Sequence, residues 1–253
     1  MLVREGSDRN EAIDLRLASC LAAIAGALNA AAFYAVGFFS ANMTGNISSL
    51  SNHAALGQWG SMAFYAAILL AFMFGAMASA LMISRGRRRK SPGTYGYVIL
   101  VEAVLLAGLG AADLWLLGNG HGPALILGLA FLMGLQNSMT TRISGSRIRT
   151  THISGTATDI GIGLATMLDL YRGREHTESV AETIGKLKLH LCTILSFLLG
   201  GVIGVLVYRA VGGYLLIASA AILLAIGVGS LRSFNAGRSV SGDTLRVDGG
   251  SKL

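Results

Sequence analysis

Six long apolar runs, separated by polar or charged segments, dominate the hydrophobic pattern of this chain. Each is close to the roughly 20 residues that a helix needs to cross about 30 Å of hydrocarbon. Lipid offers no hydrogen-bond partners, so such runs must pair their own backbone groups as helices. The pattern predicts an all-α polytopic membrane protein, with spans near residues 17–39, 60–83, 95–117, 123–141, 189–208 and 211–231.

The composition agrees with a lipid bilayer as the main partner. Of the 253 residues, 53% are hydrophobic and 13% are charged, and the mean hydropathy is +0.62. A soluble domain carries about 25% charged residues. The net charge of +7 lies in loops between apolar runs, which indicates membrane topology and argues against nucleic acid as a partner. Cys20 and Cys192 lie inside apolar runs and are interpreted as buried small hydrophobic residues.

The distribution of Lys and Arg predicts the orientation. Of the 20 cations, all but Arg209 fall in alternate polar segments, namely 1–16, 84–91, 142–188 and the region after 231. Loops that are rich in Lys and Arg stay cytoplasmic. We therefore expect both termini inside the cell, with six crossings between them.

Three segments outside the spans complete the predicted domain organisation. Residues 1–16 are read as a cytoplasmic segment, residues 168–188 as a charged cytoplasmic insertion with a short amphipathic helix, and residues 232–253 as a disordered cytoplasmic tail.

An internal repeat organises the membrane domain, residues 17–231. Three short motifs of the first half recur in the same order in the second half. They are Gly26-Ala27-Leu28-Asn29 with Gly134-Leu135-Gln136-Asn137, Met43-Thr44-Gly45-Asn46 with Ile153-Ser154-Gly155-Thr156, and Phe72-Met73-Phe74-Gly75 with Phe197-Leu198-Leu199-Gly200. The repeats would cover about 17–117 and 123–231. Since each contains three crossings, the second copy would be inverted in the membrane, as in many secondary transporters.

The middle motif of each half suits a non-helical joint. Gly45 and Gly155 accept backbone angles that other residues avoid, and the flanking hydroxyl and amide side chains can cap a following helix. A helix N-terminus also attracts anions and carbonyl oxygens. A capped surface loop without a solute is the alternative. The predicted substrate-binding residues are Asn29, Asn42, Thr44, Gly45, Asn46, Gln136, Asn137, Thr151, His152, Ser154, Gly155 and Thr156.

Two acidic residues are candidates for proton coupling. Glu102 lies about one third into the third span, where a carboxylate is costly unless it is paired, protonated or hydrated. Asp159 follows the second joint, where Arg142, Arg147 or Arg149 could pair with it instead. For Asn29, Gln136 and Asn137, hydrogen bonding between helices remains the alternative to solute contact.

The remaining motifs indicate packing rather than chemistry. Gly75 with Ser79, and Gly200 with Gly204, form small-residue faces on the second and fifth spans, which would pack within one chain or in a homodimer. The sequence shows no nucleophile triad, metal-ligand spacing or phosphate-binding loop, so we expect neither an enzyme nor a cofactor or metal.

The joint motifs and the fourth span resemble the YoaK-like family of bacterial inner-membrane proteins, a domain of unknown function. The resemblance rests on Ala41-Asn42-Met43-Thr44-Gly45-Asn46, Gly134-Leu135-Gln136-Asn137 and Arg149–Thr156 with Asp159. It implies a multispan inner-membrane protein, often described as a small-molecule transporter without an assigned substrate. An acidic residue is common in that family where Asn29 stands here, which weakens any proton-carrying role for the first span.

The leading hypothesis is a secondary transporter of a small polar or anionic solute. The alternative is a non-transporting membrane scaffold or partner-binding protein, whose joints are structural and whose 168–188 segment is a docking surface.

Overall fold

A computed structural model describes residues 2, 11–91, 93–115, 121–173 and 179–247, with side chains described no further than Ser233. The described residues form eight α-helices and no strands, which confirms the predicted all-α class. The helices are α1 (Glu11–Val36), α2 (Met43–Ala55), α3 (Trp59–Arg88), α4 (Thr94–Trp115), α5 (His121–Ile143), α6 (Ile153–Tyr171), α7 (Val180–Val211) and α8 (Tyr214–Val247).

Six of the described helices are long and apolar enough to cross a membrane, namely α1, α3, α4, α5, α7 and α8. They coincide with the six predicted runs. The two short helices, α2 and α6, begin at the first residues of the two motifs that were predicted to be non-helical. Met43–Asn46 and Ile153–Thr156 are the first turns of these helices, so the non-helical joints are the segments just before them, which end at Asn42 and His152. The protein is therefore an all-helical membrane protein in which two shorter helices are inserted between spans.

Two helix ends differ from the predicted segment boundaries. Helix α7 begins at Val180, inside the predicted insertion, because Ser179 and Glu182 form a capping box. The Ser179 backbone N–H donates to Glu182 Oε2 at 3.0 Å, and the Glu182 backbone N–H donates to Ser179 Oγ at 3.3 Å. Residues 180–188 are thus the first turns of α7 and not a separate amphipathic helix. Helix α8 continues to Val247, into the segment 232–253 for which the sequence predicts disorder.

The long helices pack in three main pairs, α1 with α7, α3 with α5, and α4 with α8. The same three pairs result when each helix of the first half is exchanged with the helix at the matching position of the second half. Exchanging α1 with α5 and α3 with α7 converts the first pair into the second. The pair α4 with α8 maps onto itself.

Matched glycines make close backbone contacts in both of the exchanged pairs. A Cβ on Gly26 of α1 would overlap the carbonyl of Phe197 on α7, and one on Gly134 of α5 would overlap the carbonyl of Phe72 on α3. These are the residues that the sequence repeat aligns. Backbones that approach this closely require glycine at the crossing point.

The small-residue faces on α3 and α7 pack inside the chain. A Cβ on Gly75 of α3 would overlap Phe131 of α5, and one on Gly200 of α7 would overlap Ala23 of α1. The second predicted span therefore packs against the fourth, and the fifth against the first. Because these faces are occupied within one chain, they are not available as a homodimer interface.

Helices α1 and α5 are the central elements of the bundle. In the most apolar stretch of each helix, 56% of the residues of α1 and 61% of those of α5 are buried inside the protein, against 22% for α3 and 17% for α7. Outward-facing residues of α3 and α7, such as Met73, Phe74, Leu198 and Ile203, are more than half exposed. In a bilayer these side chains meet lipid, which replaces the polar surface of a soluble protein.

The glycine crossings give a test of this packing. We expect Gly75→Ala and Gly200→Ala each to destabilise the protein by about 1–3 kcal/mol, because the added methyl group must push two helix backbones apart. Gly108→Ala is the matched control, since nothing lies within 4 Å of a Cβ at that helical position. Thermal unfolding in detergent measures the three variants, and equal effects at all three sites would contradict this packing.

Candidate functional site

The chain after α1 folds back along that helix before α2 begins. The backbone N–H of Ala41 donates to Asn29 Oδ1 at 2.8 Å, although α1 continues to Val36. At 1.5 Å per residue, Ala41 therefore lies about 10 Å back from the end of α1. Asn29 and Ala41 are 7% exposed, so this hydrogen bond is buried. Non-helical backbone thus lies well inside the bundle.

The chain after α5 folds back in the same way. Asn137 Nδ2 donates to Thr151 Oγ1, although α5 continues to Ile143. Thr151 therefore lies about 9 Å back from the end of α5. Asn29 and Asn137 occupy matched positions in the repeat, so one residue type ties down both joints.

Both joints end in a helix N-cap that folds over a glycine. Asn42 Oδ1 accepts a hydrogen bond from the backbone N–H of Gly45 at 3.1 Å and caps α2. His152 is the N-cap of α6 but makes no capping hydrogen bond with its side chain. A Cβ on Gly45 would collide with the Asn42 side chain, and one on Gly155 with the His152 ring. Both glycines are helical and neither has a positive φ, so the prediction that they provide unusual backbone angles is wrong. They are needed because the cap side chains lie against the first turns.

The two joints line one cavity of about 710 Å³. This volume lies within the usual range for small-molecule sites. Side chains from α1, α2, α3, α5, α6 and α7 contribute to its wall. The lining residues are Asn29, Phe39, Ala41, Asn42, Met43, Thr44, Gly45, Ser48, Phe72, Asn137, Thr141, Arg149, Thr151, His152, Ile153, Ser154 and Phe197.

The charge of the cavity wall is positive. Arg149 is the one Lys or Arg among the lining residues, and there is no carboxylate among them. Arg149 Nη1 lies 3.4 Å from His152 Nδ1. Helices α2 and α6 both begin at this wall, so their positive dipole ends add to the field of the guanidinium.

Eight of the twelve predicted substrate-binding residues line the cavity, and four do not. Asn46 is buried and donates to the backbone carbonyl of Phe39 at 3.1 Å. Gln136 is buried against Glu102, and Gly155 lies under the His152 ring. The hydroxyl of Thr156 donates to the carbonyl of His152, and its side chain lines a second cavity.

The two proton-coupling candidates lie apart from each other and outside the main cavity. Glu102 is fully buried between α4 and α5, where Gln136 Nε2 donates to its Oε1 at 3.0 Å. Asp159 lines the second cavity, of about 360 Å³, together with Arg149, Lys186 and His190. Of the arginines expected near Asp159, Arg147 pairs with Asp14 at 3.0 Å and Arg142 donates to Ser84.

Several lining residues were not among the predicted ones. Phe72 and Phe197 begin the third repeated motif, so their matched positions carried a usable signal. Arg149 is the first residue of the motif Arg149–Thr156 that carries the family resemblance, and the one role that the sequence predicts for it is a pair with Asp159. Phe39, Ser48 and Thr141 carried no distinguishing signal, because only the folding back of the joints places them at the cavity.

These features define a polytopic α-helical membrane protein with a cavity where two inserted helices begin. A family model described as "Protein of unknown function (DUF1275)" matches residues 17–229, so the chain belongs to that family. This description does not include the YoaK name, and that closer resemblance stays a prediction. No curated protein and no solved structure matches the chain.

The hydrogen bonds of Asn29 and Asn137 to the two joints, here called the asparagine tethers, can be tested separately from any activity. We expect Asn29→Ala to increase hydrogen exchange in residues 40–46, because the buried N–H of Ala41 loses its acceptor at a cost of about 1–3 kcal/mol. Asn29→Asp is the control, since its carboxylate keeps an acceptor at the same place. Exchange measured by mass spectrometry should rise only in the first variant, and unchanged protection in Asn29→Ala would refute the tether.

Proposed function

We propose that this protein is a secondary transporter that carries a small polar or anionic solute across the bacterial inner membrane. One observation carries the proposal: both joints, which lie about 110 residues apart in sequence, line the same cavity. Backbone that leaves a helix at membrane depth is stable only beside protein, water or a solute. Two unrelated surface loops would have no reason to line one cavity.

The proposal includes two inverted repeats. The exchange of helix partners between the halves supports this relation, as do the matched glycine contacts of Gly26 and Gly134. In transporters of this kind, the solute binds between the two repeats, at helices interrupted near the membrane centre. We place both termini in the cytoplasm, as the Lys and Arg distribution predicts.

The cavity chemistry favours a solute that carries a negative charge or an exposed carbonyl oxygen. The N-cap of α6 leaves the first-turn N–H groups without a side-chain acceptor, and helix N–H groups at such an end bind anions. Arg149 adds a full positive charge, and the hydroxyls of Thr44 and Ser154 add polar contacts from opposite joints. Phe72 and Phe197 supply apolar surface at matched positions.

Transport can be measured in proteoliposomes that contain a trapped fluorescent pH indicator. The probes are inorganic phosphate, small monocarboxylates and zwitterionic amino acids, each added outside. We expect at least one probe to change the internal pH or to accumulate as radiolabel. Thr44→Val and Ser154→Ala should each reduce that flux about tenfold, the effect of losing one hydrogen bond to a bound solute.

Ser51→Ala is the matched control, because Ser51 is exposed and its hydroxyl bonds only to the carbonyl of Ile47 in its own helix. Its flux should equal that of the unmodified protein. Flux that is the same in all variants would exclude the cavity as the pathway. No flux with any probe would favour the alternative function, a non-transporting membrane scaffold.

A further inference from the structure

The carboxyl group of Glu102 is buried and has few polar groups around it. Glu102 is 0% exposed. Within the described part of the chain, Gln136 is its one hydrogen-bond partner, and its Oε2 has none. The helices packed against α4 bring no charge to this depth. No charged side chain occurs in α3 before Arg85, in α5 before Arg142 or in α8 before Arg232. The protonation of this group therefore affects its surroundings mainly through Gln136.

Gln136 connects Glu102 with the second joint. Its Nε2 donates to Glu102 Oε1, and its Oε1 lies 3.5 Å from Thr150 Oγ1. Gln136 and Thr150 are both 0% exposed. The amide thus donates on one side and accepts on the other, so a change at the carboxyl group polarises the bond to Thr150.

The Thr150 hydroxyl stands between two competing acceptors. Its oxygen lies 3.5 Å from Gln136 Oε1 and 3.4 Å from Asn137 Oδ1. A hydroxyl has one hydrogen, so it can make only one of these hydrogen bonds well at a time. Two nearly equal alternatives form a two-state element that a small change in either acceptor can bias.

Asn137 connects the Thr150 hydroxyl with the cavity wall. Asn137 and Thr151 both line the cavity, and Asn137 Nδ2 donates to Thr151 Oγ1. Thr151 directly precedes His152, the N-cap of α6. In the first half, Leu28 stands at the position that matches Gln136, so this network exists only in the second half.

We propose that Thr150 is a hydrogen-bond switch that transmits the protonation state of Glu102 to the cavity. When Glu102 loses its proton to water, Gln136 donates to a carboxylate, and this charge-assisted bond is stronger. The Gln136 oxygen then becomes the better acceptor, and the Thr150 hydrogen turns towards it. Asn137 loses that hydrogen bond and is freer to reorient at the cavity wall. Proton uptake reverses each step, and no other bond is made or broken.

This inference rests on the proposed function only in treating the cavity as the solute site, and its test needs no transport. The reporter is Ser154→Cys in a Cys20→Ala, Cys192→Ala background, reconstituted in liposomes. Its rate of reaction with a maleimide is measured against pH. The same reporter with Glu102→Gln provides the reference, because the thiol at residue 154 and the neighbouring His152 then ionise alike in both proteins.

We expect the ratio of the two rates to change about fivefold across the titration of Glu102, the equilibrium weight of one hydrogen bond. Thr150→Val, introduced into both proteins, should abolish this change, and Thr150→Ser should restore it, because serine keeps the hydroxyl. Thr193→Val is the matched control, since the buried Thr193 hydroxyl bonds only to the carbonyl of Leu189 in its own helix.

A ratio that does not depend on pH, or one that still changes in Thr150→Val, overturns the switch. If a variant does not fold, pH-difference infrared spectra decide the question in the unmodified reporter protein. The Glu102 carboxyl band and a side-chain amide band must then change together, and an isolated carboxyl change contradicts the proposal. Flux without the pH-dependent ratio removes the switch alone, whereas the ratio without flux removes the transport proposal alone.

Discussion

The need to pair backbone polar groups inside a membrane controls this structure. Two segments leave the helical pattern and fold back beside α1 and α5, where water is scarce. Asn29 provides the acceptor for the N–H of Ala41, and Asn137 bonds the side chain of Thr151. These amides fix the segments from which α2 and α6 begin. The cavity of the candidate site is lined by the first turns of both helices.

Close packing of the central helices complements these tethers. At the crossings of Gly26 with Phe197 and of Gly134 with Phe72, the backbones are in contact, which leaves no room for a side chain. The tight crossings bring α1 and α5 against their partners α7 and α3, and the phenylalanines of these same crossings reach the cavity wall. One set of residues therefore both holds the bundle together and supplies the apolar part of the candidate site.

Two adjacent polar residues of α5 form hydrogen bonds with different parts of the structure. Gln136 and Asn137 point about 100° apart around the helix, as neighbours at 3.6 residues per turn must. Gln136 meets Glu102 on α4, whereas Asn137 meets the second joint. The hydroxyl of Thr150 lies between the two amides, so a buried carboxyl group and the cavity share one hydrogen-bonded network. The first half contains Leu28 in place of Gln136 and has only the tether.

The sequence alone determined the membrane class, the six spans and the places where α2 and α6 begin, because these follow from local hydropathy and cap residues. It also aligned Gly26 with Gly134 and Phe72 with Phe197. The tertiary structure decided which helices pair, and hence that Gln136 faces Glu102 while Asn137 faces the cavity. It also brought Phe39 and Arg149 to the wall. The physical reason is that helical spacing fixes the angle between two side chains, but only packing between distant segments fixes what each side chain meets.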